Sequence, residues 1–192
     1  MTRVLRMVSA AFAVLLTLSA CDGGSDNPDD PKTPTQEASS MYCDLIDPKT
    51  IEPIVGSNEI KDFGGPVARS DTRTIKCNLY DADKREDRLA VYEYEVSQSN
   101  LQDERDKAAA AMAKHAKEDA EHYVALESEG DDLGYAWFTG DTAAANLLTK
   151  TRRISVTAPA TADQADEFTP LMLKVAQEFN TNLDAWDAEN PS

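Results

Sequence analysis

Two periodicities run through the chain, one of two residues and one close to 3.6, and their order predicts the elements. Thr74 to Tyr80 alternates, with Ile75, Cys77 and Leu79 on one face. In Leu89 to Ser97, Tyr92, Tyr94 and Val96 share a face while Glu93 and Glu95 point the other way. The polar run Asp81 to Arg88 joins these two strands as a hairpin. Further on, Gly134 to Phe138, Ala143 to Lys150 and Arg153 to Thr157 predict a three-strand meander, with turns at Gly140-Asp141 and Lys150-Thr151. Ile60–Phe63 and Tyr123–Glu127 are short strand candidates.

Three helices punctuate these strands. Asp47 as N-cap, Pro48 at the first helical position and Gly56 as a stop predict a short one. Asn100 to about Glu121 is rich in Ala, Lys, Glu and Arg, and its predicted buried stripe is Leu101, Ala108, Met112, Ala116 and Tyr123. Thr161 and Gln164 form a capping box before a last helix whose stripe is Leu171, Val175, Phe179 and Leu183. Pro170 is expected to kink that helix, or to start it. The order is α-β-β-α-β-β-β-α with a possible extra edge strand. It predicts an α+β fold on a largely antiparallel sheet of five to six strands.

The N-terminus carries an address. Arg3 and Arg6 precede 12 mostly apolar residues, Met7 to Leu18. As a helix these rise about 18 Å, short of the roughly 30 Å hydrocarbon core, so residues 1–20 read as a secretory signal. Leu18-Ser19-Ala20-Cys21 resembles the bacterial lipobox. That resemblance implies cleavage before Cys21 and diacylglycerol on its sulfur, and two acyl chains hold a membrane where one does not. Residues 21–40 are polar, with Ala38 as the apolar exception after Cys21, and read as a tether reaching about 25 Å. Residues 41–188 remain as one domain. The expected location is the outer face of the bacterial cytoplasmic membrane, with the protein a monomer.

Cys43 and Cys77 are then the two cysteines left over. In an exported chain two thiols pair, and no further ligands at short spacing support a metal site. A bridge would close a loop of about 35 residues, worth roughly 3–4 kcal/mol.

Charge excludes one function class. Acids outnumber bases 35 to 19, and loss of residues 1–20 removes two more bases and no acid. Such a chain lacks the basic face that nucleic acid requires.

The residues of this domain carry a resemblance. Cys43-Asp-Leu-Ile-Asp-Pro48 leads a short helix ending at Gly56, Lys76-Cys77-Asn-Leu lies on a strand, and the Gly134-Tyr-Ala-Trp meander precedes a closing helix. With the lipobox and tether, this resembles a domain-of-unknown-function family of small actinobacterial cell-envelope lipoproteins, over residues 40–185. Asn78 follows the second cysteine where an aromatic is common. The resemblance implies an exported α+β domain with a Cys43–Cys77 bridge, and brings no activity and no catalytic positions.

Candidate chemistry is sparse. His115, Asp119 and His122 fall along one side of the long helix at spacings that suit a transition metal, the basis of an alternative reading as a metal-dependent envelope hydrolase. The bland reading is a helix border in a charged helix. No nucleophile elbow stands out, and the acidic turns at Asp81–Asp83 and Gly130–Asp132 lack a calcium loop's spacing. The better lead is aromatic. Tyr135 and Trp137 share one face of their strand, opposite Ala136 and Phe138, and Tyr92 and Tyr94 join them if their strand lies adjacent. The expected function is a non-catalytic binding or interaction module without cofactor, for a small apolar ligand or an envelope protein.

Overall fold

The computed structural model describes residues 41–56, 58–66, 74–126 and 130–190. The signal sequence expected at residues 1–20, Cys21 and the tether expected up to residue 40 lie outside the described residues. Helix α1 spans Pro48–Val55, where Asp47 accepts from the Lys49 N–H at 2.9 Å and Gly56 ends the helix at φ 60°. Strands β1 (Ile60–Gly64), β2 (Thr74–Asp81) and β3 (Asp87–Glu95) form a first meander. Helix α2 (Leu101–Glu118) then crosses to the far edge of the sheet. There β4 (Val124–Ala125), β5 (Leu133–Thr139), β6 (Thr142–Leu148) and β7 (Arg152–Pro159) form a second meander that returns to β3. Helix α3, Ala165–Glu189, closes the chain.

The result is α+β, with one antiparallel seven-stranded sheet in the order β1-β2-β3-β7-β6-β5-β4. The count exceeds the five to six predicted because both short candidates pair at the two edges, where a strand needs only one neighbour.

The core lies between α1, α3 and one face of this sheet. Helix α3 packs on β6, β5 and β7, where Ala145 and Leu147 of β6 and Ile154 and Val156 of β7 share the core with Met172, Val175, Phe179 and Leu183. Helix α1 packs beside it on β3, and Ile75, Cys77 and Leu79 of β2 with Leu89 and Val91 of β3 complete the same core. Leu171 is only half-buried, and Phe168 and Met172 fill the place predicted for it. Pro170 neither kinks off a separate helix nor starts one. It sits in the second turn, where its missing N–H costs one hydrogen bond and the burial of Phe168, Thr169 and Met172 carries the helix through. Arg152 joins the far end of α3 to the sheet, with Nη2 3.0 Å from Asp184 and 3.1 Å from Asp187.

Cys43 and Cys77 are bridged, with their Cα atoms 5.8 Å apart. The crossing is tight. At Gly65, where φ is +103°, an added Cβ would stand 2.7 Å from the Cys43 carbonyl oxygen, so the backbone of β1's exit admits only glycine there.

Candidate functional site

The second face of the sheet is the one α2 crosses. On β5, Tyr135 and Trp137 alternate onto this face while Ala136 and Phe138 join the core, as their order along the strand predicts. The predicted α2 stripe is rotated, however. Leu101, Ala108, Ala111, Met112 and His115 are half-buried, whereas Ala116 is exposed. The helix also ends at Glu118. A 3-10 turn, Ala120–His122, follows and takes Tyr123 out of the helical phase. The rotation places His115, instead of an alanine, over the sheet.

Three rings stack there. His115 lies 4.2 Å from Trp137 at 23°, Tyr135 lies 5.3 Å from Trp137 at 22°, and His115 lies 5.9 Å from Tyr135. Asp119 Oδ2 is 2.8 Å from His115 Nδ1 and fixes the ring's azimuth. Tyr135 is only 5% exposed, and its hydroxyl accepts from Asn146 Nδ2 at 3.3 Å. Burial pushes the Tyr135 phenol above its ordinary pKa, because the phenolate would lose its water, and the Asn146 donor opposes that only in part.

Beside this stack α2 leaves space. A cleft of about 170 Å³ lies between Ala108 and Ala111 of the helix and Leu133, Tyr135 and Leu148 of the sheet. It exists because α2 presents alanines where larger side chains would fill the gap, and no residue of α2 is fully buried. Polar groups stand at its mouth. Arg153 Nη1 is 3.0 Å from Glu104 Oε2, and Lys107 Nζ reaches Glu104 at 3.0 Å and Asp103 at 2.6 Å. Those carboxylates hold the Lys107 ammonium above its usual pKa. A second hollow of about 140 Å³ lies across the Glu104–Arg153 pair, against Tyr94 and Asn100.

Tyr92 and Tyr94 share this face without joining the stack. Their strand is not adjacent to β5, since β7 and β6 lie between. The register nonetheless puts Tyr92, Ser155, Asn146 and Tyr135 in one row across four strands. Three strand spacings separate the end members, about 14 Å. Arg153 bridges the gap, its guanidinium 5.1 Å from the centre of the Tyr94 ring. Neither Arg153 nor Glu104 stands out in the sequence. The one local signal is an arginine on the solvent-facing phase of a strand.

The three metal candidates are not brought together. His115 pairs with Asp119, but the 3-10 turn swings His122 toward α3, where Nδ1 is 2.8 Å from Asp166 and the ring meets Phe138 edge-on at 5.8 Å. Among the described residues no three His, Cys, Asp or Glu side chains are placed to hold a metal ion. Among the same residues, no helix is long and apolar enough to cross a membrane. No protein-family profile, no curated protein and no solved structure matches the chain.

Proposed function

We propose that this chain is an exported, lipid-anchored binding module of the bacterial cell envelope, with its ligand seated between α2 and the sheet. The observation that supports it best is the unfilled cleft beside three stacked rings, under a helix of 18 residues with no fully buried side chain. Protein interiors leave few voids larger than a water molecule, so an under-packed helix over aromatic surface favours a partner. The lipobox resemblance at Cys21 supplies the anchor, and the bridge that the family resemblance implies is present in the fold.

The volume limits the ligand. A cavity near 150 Å³ admits benzene, whereas drug-sized ligands occupy about 300–1,000 Å³. A site of about 170 Å³ therefore takes a single ring or a short apolar chain, and directs any polar end toward Arg153, Lys107 and Asn146. The reading assigns no reaction to the site.

p-Cresol, one ring with one hydroxyl, is a suitable probe. In a Trp186→Phe background, Trp137 alone reports, and its emission is expected to change saturably with p-cresol. Ala111→Phe puts a ring into the cleft and is expected to abolish that saturation while leaving the fold intact. A linear, non-saturating response identical in both proteins would remove the cleft as the site.

A further inference from the structure

The same face of the sheet continues beyond α2, which lies over β5 and β6. Toward β1 no described residue covers the face. Phe63 is 70% exposed and Tyr94 38%, and Lys61 and Lys76 are exposed. These are the two large apolar side chains most exposed among the described residues, and both lie on this face. Phe63 pairs with Asn78 across β1 and β2, and Tyr94 pairs with Arg153 across β3 and β7.

Its charge departs from the rest of the molecule. The chain carries 35 acids against 19 bases. Yet the strand positions that alternate onto this face hold three cations, Lys61, Lys76 and Arg153, against one carboxylate, Asp87, which pairs with Tyr80 at the margin of the face. Each of two cations lies against a ring: Lys76 Nζ is 5.8 Å from the centre of Tyr92, and Arg153 is 5.1 Å from that of Tyr94. Glu104 borders the patch and is already bonded to Arg153.

We propose that this open face binds an anionic polysaccharide. The chemistry fits in two respects. Exposed aromatic rings stack on the apolar faces of sugar rings, and the lysines and Arg153 meet the anionic groups. A peptide would find backbone partners only along the outer edge of β1, because β2, β3 and β7 spend their N–H and C=O groups on each other, whereas the rings and cations lie across the face of those inner strands. From Phe63 to Arg153 the face spans three strand spacings, about 14 Å, roughly the length of three sugar units. The negative charge of the remaining molecule does not prevent this. At physiological salt it is screened beyond about 8 Å, so the cations in contact decide. The proposal stands on the surface of β1, β2, β3 and β7 and does not rest on the cleft reading.

The test uses the full chain in detergent micelles and microscale thermophoresis with three probes: polygalacturonate, neutral dextran and poly-glutamate of matched length. Polygalacturonate is expected to bind best. Lys61→Glu with Lys76→Glu is expected to weaken it roughly tenfold or more, and Phe63→Ala roughly fivefold, both with unchanged thermal unfolding because the side chains are exposed. If the double reversal disturbs folding, Lys61→Gln with Lys76→Gln serves instead and is expected to weaken binding several-fold. Poly-glutamate binding as tightly as polygalacturonate would show that charge alone is read, and would overturn the proposal. So would absence of polygalacturonate binding, or binding unaffected by the lysine and Phe63 substitutions.

Discussion

His115 stacks on Trp137 with ring centres 4.2 Å apart and an interplanar angle of 23°, and this contact joins α2 to the sheet. It fixes the helix's rotation, because the other sheet-facing positions of α2 near it are alanines and Met112. Aromatic pairs of this kind are worth about 0.5–1.5 kcal/mol beyond their buried area. His115→Ala is therefore expected to lower stability by about 1 kcal/mol and to shift Trp137 emission to the red in a Trp186→Phe background. Urea unfolding with fluorescence detection measures both. An unshifted emission would mean that the ring is not covered by the helix.

The Cys43–Cys77 bridge ties the turn before α1 to the second strand from the edge, across 34 positions of sequence. Its removal relaxes the unfolded chain, at a cost of roughly 3–4 kcal/mol. Cys43→Ser with Cys77→Ser is expected to lower the urea midpoint accordingly, while far-ultraviolet circular dichroism keeps its folded shape at low urea. A midpoint within error of the bridged protein would contradict this.

Asp81 gives the fold an acid limit. The Lys84 N–H donates to its carboxylate at 3.0 Å, Arg88 Nη2 lies 3.1 Å away, and the Asp83 N–H donates at 3.0 Å. Together, and against the opposing effect of burial, these hold its pKa below the ordinary carboxylate value. A depressed folded pKa stabilises the fold above the unfolded value near 4, and that stabilisation is lost as pH falls through the folded value. Asp81→Asn is thus expected to melt below the parent at pH 6, with the gap closing toward pH 2. Melting curves across that range test it, and a constant gap would assign the effect to packing instead.

Cys21 carries the anchoring expectation. Cys21→Ser is expected to abolish labelling by radioactive palmitate and to move the protein from the membrane fraction to the soluble or secreted one. A lipidated Cys21 predicts that difference, because two acyl chains hold a membrane where one does not. Persistence in the membrane fraction would require another anchor.

Much of the fold is legible in local pattern. Ile75, Cys77 and Leu79 declare their face by alternation, Asp47-Pro48 and Gly56 bracket α1, and with Cys21 set aside the two remaining cysteines have only each other. What local pattern does not hold is phase and neighbourhood. Residues 108–111 are four alanines in a row, so no side chain there marks which side of α2 is inward. The choice is made by Trp137, on a strand more than 20 residues away. The pairing of β3 with β7 is likewise non-local, and with it the row from Tyr92 to Tyr135 and the contacts of Arg153. Spacing along one helix suggested a His115–Asp119–His122 set, but the break after Glu118 sends His122 to Asp166.

The space between α2 and the aromatic sheet face is where the proposed ligand sits. Native mass spectrometry of residues 40–192, secreted by a bacterial host and compared with the denatured mass, addresses it most directly. The expected result is an excess mass of one small molecule that vanishes on denaturation and is missing from Ala111→Phe and Trp137→Ala. An identical native mass for all three proteins, equal to that of the bare chain, would contradict a ligand in that space.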